Sequence, residues 1–289
     1  MRFEGHQLLK RFCSALALCL CVYAVQPVHA QGDEDESEIP IFFNPNTSTQ
    51  SIGTQTVRAI RFLTTDDFPP FNFIAPQGNL EGFNVSIART LCLELKARCT
   101  MQAIPWDELE EALKDGRGDA VIAGIKVSEE SLERFAFSLP YLRSPARFFT
   151  ARNRISITPD WTNVSGITVG VQENTAHEAF LRLYFPNVTV QTFEDQNRLN
   201  EAVRNGTADA GFGDGISTSF WMNSSRARDC CQFVGGPYVN SDYFGAGFSI
   251  AVLPDREDLR KALNFGLSRI INNKKYAEIY LRYFPVNFY

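Results

Sequence analysis

Ala112-Leu113-Lys114-Asp115-Gly116-Arg117-Gly118-Asp119-Ala120 is matched without a gap by Ala202-Val203-Arg204-Asn205-Gly206-Thr207-Ala208-Asp209-Ala210, at an offset of 206 − 116 = 90 positions. Each copy reads as the end of a helix, then a glycine suited to the left-handed conformation of a helix C-terminus, then an Asp-Ala pair entering a strand. One such segment is unremarkable; two in register predict two similar lobes, each a small open sheet. In open α/β sheets, ligands lie beyond the carboxyl ends of the strands. The two repeated strands end at Ala123-Gly124 and at Gly213-Asp214. If the lobes face each other, both ends point into one cleft. Gly124 would then let a ligand approach bare backbone, and Asp214 would offer a carboxylate from the other side.

The flanking sequence alternates in the same way. Val57 to Leu63 reads as a strand, and Phe83 to Ala97 as a helix with Ile87, Leu91 and Leu95 at i+4 spacing. Trp106, Leu109 and Leu113 form the next helical face, Ala120 to Ala123 a short strand, and Ile167 to Val171 another strand. Leu259, Ala262, Leu263, Leu267 and Ile270 give a late helix an apolar face. This alternation predicts an α/β fold with sheets covered by helices.

The N-terminus carries a different signal. Arg2, Lys10 and Arg11 precede an apolar run from Phe12 to Val25, and Val28-His29-Ala30 offers small residues where a signal peptidase cleaves. The run is short for a bilayer span, which needs ~20 apolar residues. Large residues precede Cys13, Cys19 and Cys21, which argues against a lipoprotein site. Residues 1–30 are therefore expected to be a cleaved signal peptide and residues 31–56 a disordered acidic and polar linker. That linker opens with Asp33-Glu34-Asp35-Glu36 and lacks the apolar content to offset the entropy of ordering. Export is therefore expected, with no membrane insertion of the mature chain.

The whole chain carries a formal net charge of −5, and removing residues 1–30 takes away three basic residues and one acidic one. An acidic chain without a basic block is not expected to bind nucleic acid. After residue 30 the cysteines are Cys92, Cys99, Cys230 and Cys231, in a compartment where disulfides persist. A Cys92–Cys99 bridge would join a helix end to a strand start. The adjacent Cys230 and Cys231 either pair or stay reduced. No metal site and no cofactor are expected, because His177 is the single histidine after residue 30 and no CxxC pair occurs.

Taken in order, several stretches resemble the bacterial family-3 extracellular solute-binding proteins. They are Phe68-Pro69-Pro70-Phe71-Asn72-Phe73 with Glu81-Gly82-Phe83-Asn84-Val85, Trp106-Asp107-Glu108-Leu109 through Ala123-Gly124-Ile125, Phe137-Ser138-Leu139-Pro140-Tyr141, and Val169-Gly170-Val171-Gln172-Glu173-Asn174-Thr175. The resemblance covers nearly all of residues 57 to 285. It implies a two-lobed periplasmic-binding-protein-like fold of type II, with a discontinuous first lobe (57–143 and 249–289), a second lobe (144–248) and a two-stranded hinge. It also implies a periplasmic monomer that binds a small ligand, an amino acid or related amine or carboxylate, and hands it to the membrane subunits of an ABC importer. The Cys92 and Cys99 spacing is similar to a disulfide of some members.

The same resemblance assigns site residues. Phe68 and Trp106 stand where the family stacks aromatic rings on the ligand, and such rings attract a cation. Ala123, Gly124 and Lys126 stand where it uses backbone groups and a hydroxyl side chain. The family's carboxylate-gripping arginine is replaced by Ser131 here, with Lys126, Arg134, Arg143 and Arg147 as candidate substitutes. Gln172, Asn174, Thr175 and Ala176 fall on a strand-to-helix turn whose N–H groups suit an anion; Thr175 also reads as a helix N-cap. Asp214 matches the family's acid for a ligand ammonium. The rival class is an enzyme of this fold, a dehydratase for ring substrates, with Glu173 as the best base. His177 speaks against it, since no His/Asp pair is visible and its neighbours read as a surface helix. A periplasmic partner or delivery protein is the other alternative.

Overall fold

Both copies of the repeated segment close their helices with the same hydrogen bonds. Gly116 N–H donates to Leu113 (3.1 Å) and Arg117 N–H to Ala112 (2.8 Å); Gly206 N–H donates to Val203 (3.2 Å) and Thr207 N–H to Ala202 (2.8 Å). The two glycines hold φ of 71° and 78°, a conformation that costs other L-residues energy. The following aspartates repeat the parallel. Asp119 N–H donates to Arg61 O and its carboxylate accepts the Arg61 N–H at 2.8 Å, while Asp209 N–H donates to Thr168 O and its carboxylate accepts the Thr168 N–H at 2.8 Å. Each aspartate thus ties its own strand to the neighbouring one, and each also draws an arginine, Arg61 and Arg154.

The computed structural model describes residues 57–154, 163–284 and 287–289, so the signal-peptide and linker readings lie outside the described residues. In chain order the strands are β1 (Ala59–Thr64), β2 (Asp67–Phe68), β3 (Asn72–Ile74), β4 (Leu80–Glu81), β5 (Arg98–Ala103), β6 (Ala120–Val121), β7 (Ala136–Phe137), β8 (Ala146–Ala151), β9 (Thr168–Gln172), β10 (Thr189–Phe193), β11 (Ala210–Asp214), β12 (Cys231–Tyr238) and β13 (Ala251–Val252). The helices are α1 (Phe83–Leu95), α2 (Leu109–Lys114), α3 (Glu129–Leu132), α4 (Ala176–Tyr184), α5 (Gln196–Asn205), α6 (Gly215–Met222), α7 (Ser241–Phe244), α8 (Glu257–Asn272) and α9 (Lys275–Tyr283).

Two five-stranded sheets follow one plan. The first runs β5-β1-β6-β13-β7 and the second β10-β9-β11-β8-β12. In each, three parallel strands are followed by two antiparallel ones. The fourth strand of each sheet, β13 or β8, directly follows a crossing from the other sheet. Helices cover both faces, as a largely parallel sheet requires. The first core gathers Phe62, Ile87, Leu91, Ile122, Leu263 and Tyr280; the second gathers Phe148, Val171, Phe180 and Phe212 on one face of its sheet, with Phe149, Leu199 and Trp221 on the other.

The two crossings run side by side. Phe248 N–H donates to Leu142 O (2.7 Å) and Tyr141 N–H to Phe248 O (2.8 Å), with Lys126 bridged to Phe248 from the other side. Gly247 sits at φ +104°, where a Cβ would lie 2.5 Å from Leu142 O, so only glycine permits this approach. This pair is the two-stranded hinge of a type II binding-protein fold.

Cys92–Cys99 is a disulfide joining the last turn of α1 to the start of β5, and Cys230 and Cys231 are bonded to each other where β12 begins. The C-terminal helices return to the first sheet through Glu94 of α1, which accepts from Arg269 (2.9 Å), Asn273 (2.8 Å) and Lys275 (2.8 Å). Hydrogen bonds from Lys275 and Arg269 lower the Glu94 pKa from 4.5 to about 2. A depressed carboxyl pKa stabilises the fold fully above 4.5, and that contribution is lost as pH falls toward 2. Glu94→Gln should therefore lose less stability than the wild type between pH 7 and pH 3 in urea titrations. Parallel losses would reject Glu94 as an acid-sensitive clamp.

Candidate functional site

Beyond the carboxyl ends of β1 and β6 lies a cavity of about 310 Å³ lined by Thr65, Asp67, Phe68, Trp106, Ala123 and Gly124. All six belong to the first sheet's side of the hinge. Phe68 is the outer ring of a stack: it lies 4.7 Å from Phe71, which lies 4.9 Å from Phe248 of the return crossing. Gly124 holds φ +83°, and a Cβ there would come within 3.1 Å of Phe248 and 3.3 Å of Phe68. The glycine is what lets the rings close over the strand end. Phe68 is 39 % exposed and Trp106 55 %, so neither is a core residue. Trp106 opens a 3-10 turn leading into α2. Thr65 and Asp67 also line this cavity and are not among the residues expected from sequence; their signal is their place between the end of β1 and Phe68.

The replaced arginine position has a structural occupation. Ser131 is 3 % exposed and sits in a reciprocal capping box at the start of α3. Its hydroxyl accepts the Ser128 N–H (2.9 Å) and donates to Lys126 O (2.8 Å). Arg134 does not reach the cavity; it pairs with Glu110 (2.5 Å) and Glu130 (3.2 Å). Arg147 of β8 is 8 % exposed, lies over the Phe233 ring at 4.8 Å, and has its pKa lowered by burial. Lys126 is exposed beside the hinge, and its Cε lies 3.7 Å from where a Gly245 Cβ would stand.

In the second lobe, the β9-to-α4 turn is built by its own side chains. Thr175 caps α4, accepting the Glu178 N–H at 3.2 Å and donating to Gln172 O at 2.7 Å. Asn174 takes the left-handed conformation at φ 59°, and its N–H donates to Glu178 (2.9 Å). Ala176 opens the helix and is exposed. Asp214 ends β11 and caps α6: one oxygen accepts the Ser217 N–H at 2.7 Å, and the other accepts the Ser144 hydroxyl from the first crossing. An ionised carboxylate has about four acceptor sites, so Asp214 keeps capacity for further donors.

His177 differs from the surface-helix reading. Its ring stacks on Phe244 of α7 (4.9 Å, 24°) and meets Phe212 of β11 edge-on (6.1 Å). Successive strand residues alternate faces, so Phe212 and Asp214 share the face that His177 covers. Burial lowers the His177 pKa while the Asp214 charge works in the opposite direction. The sequence hid this pair because α4, β11 and α7 meet only in the folded lobe.

The chain matches the family model "Bacterial extracellular solute-binding proteins, family 3" over residues 60–286. It is 30% identical over 234 residues to the "Putative ABC transporter arginine-binding protein 2" of Escherichia coli (strain K12), covering 81% of this chain and 94% of that protein. It is 32% identical over 213 residues to the "Arginine-binding periplasmic protein" of Mannheimia haemolytica, covering 74% of this chain and 86% of that protein. Among solved structures, the L-cystine solute receptor of Neisseria gonorrhoeae in its unliganded open conformation has the same fold, with TM-score 0.69 and 14% identity over 84% of this chain and 97% of that one.

The capping role of Ser131 has a measurable cost. Ser131→Ala should destabilise the protein by about 1 kcal/mol in chemical unfolding, as expected when the N3 side of a capping box loses its buried hydrogen bonds. An unchanged midpoint would show that the hydroxyl does no structural work.

Proposed function

The chain belongs to the bacterial extracellular solute-binding proteins of family 3, and from that premise we propose that its two lobes close in the periplasm on a cationic amino acid of the arginine type, for delivery to an ABC importer. One observation carries the reading: the first-lobe cavity combines two exposed aromatic rings, Phe68 and Trp106, with the carboxylate of Asp67. A guanidinium or ammonium group between such rings gains roughly 0.5–2 kcal/mol per ring from cation–π attraction. Asp67 adds a charge of the right sign. The arginine-binding proteins among the relatives favour the same class of ligand.

The α-amino group of the ligand would be received by Asp214, whose carboxylate the Ser144 and Ser217 contacts hold in place. The α-carboxylate needs a partner other than Ser131, whose hydroxyl is committed to the capping box. Lys126 at the hinge, together with the first N–H groups of α4, supplies that charge in the reading proposed here. Closure follows because only a ligand that touches both lobes favours the closed state over the open one.

Isothermal titration with arginine, lysine, ornithine, histidine and glutamine should give the strongest binding for the cationic members. Phe68→Ala and Asp214→Asn should each weaken arginine binding by about tenfold or more, equivalent to about 1.4 kcal/mol. Preference for glutamine, or unchanged affinity in both variants, would defeat the proposal. Turnover of arginine at catalytic protein concentration would replace it with an enzymatic one.

A further inference from the structure

We infer that His177 is a proton-linked antagonist of the ligand cation at Asp214, so that ligand binding drives a proton off His177 and weakens as the medium becomes acidic. The inference rests on the reading that Asp214 receives a cationic group of the ligand. It adds a residue which that reading does not use.

In the proposed complex, Asp214 would serve two cations, the ligand ammonium and the His177 imidazolium. Asp214 points to the face of β11 that His177 covers, and its field reaches the imidazole. Phe244 and Phe212 close the other sides of the ring. An apolar wall disfavours the imidazolium, and Asp214 favours it. When a ligand ammonium occupies Asp214, that favourable charge is neutralised and a second cation is added nearby. Protonated His177 and bound ligand therefore compete for one carboxylate.

The other charged groups around His177 are engaged elsewhere or lie outward. On its own helix, Glu178 is tied to Arg182 (2.9 Å) and to the Asn174 N–H. Glu173, in the turn before, is exposed. On α7, the Tyr243 ring packs on Phe180 and Tyr184, and Asp242 is exposed. From the first lobe, Lys126 approaches Gly245, next to Phe244. Asp214 is the one of these carboxylates that shares the His177 wall.

Proton NMR of the imidazole of the full chain, titrated from pH 8 to 4.5, tests this directly. His6 and His29 are the other histidines, and the His177 resonance is the one absent from His177→Gln. Without arginine, His177 should titrate below the usual value of about 6.5, and Asp214→Asn should lower its midpoint further. Saturating arginine should lower the wild-type midpoint by about one unit, and the calorimetric Kd should rise severalfold from pH 8 to pH 5, toward the roughly tenfold limit that a one-unit shift sets. In His177→Gln the Kd should stay within about twofold over that range, a flattening that a merely structural role would not produce. Arginine binding at pH 8 with an unmoved His177 midpoint would overturn this inference alone. No arginine binding at pH 8 would overturn the ligand reading and this inference with it.

Discussion

The antiparallel pairing of the two crossing segments, made by the Leu142–Phe248 and Tyr141–Phe248 backbone hydrogen bonds, is the constraint on which the remaining architecture depends. It brings the chain out of the first sheet and back into it at one place. It therefore sets where the second sheet can hang and which strand ends flank the gap. Gly247 is required there because Leu142 O occupies the space of a side chain. The site is assembled on this pair. Phe248 supports the Phe71–Phe68 stack on one side, while Ser144 and Pro145 hold Asp214 and Gly215 on the other. A hinge made of few hydrogen bonds bends readily, and groups fastened to it keep their local geometry as the lobes move.

The two halves of the site are chemically unlike. The first-lobe half is an aromatic shelf with one carboxylate at its edge, where the proposed ligand would place its cationic side chain. The second-lobe half is a helix N-terminus beside a carboxylate, where the same proposal would place charges of the ligand main chain. Lys126 is exposed beside the hinge, and His177 is covered by Phe244 and Phe212. Ser131 and Arg134 make the loop beside them rigid instead of contributing charge to the cavity.

The parts of the molecule legible from sequence were those fixed by near neighbours. The helix ends at Gly116 and Gly206, the apolar faces of α1 and α8, and the Thr175 cap follow from hydrogen bonds and periodicity within a few residues. The internal repeat carried that local information to the level of the sheets, because two copies of one folding unit make two similar lobes. The parts that sequence left undecided depend on partners brought from far along the chain. Arg134 read as a candidate for the ligand carboxylate, and the fold pairs it with Glu110 and Glu130 instead. His177 read as solvent-facing until α7 laid Phe244 over it and β11 set Phe212 against its edge. Cys230 and Cys231 were left open by their adjacency, and the turn that enters β12 brings them together as a bonded pair. Local propensity is a property of a short segment, whereas the charge and burial of a side chain are set by everything that surrounds it. For that reason the sequence alone determined the α/β duplication, and the tertiary structure decided where each strand ends, with β6 stopping at Val121 rather than Ala123, and which charges meet which partners.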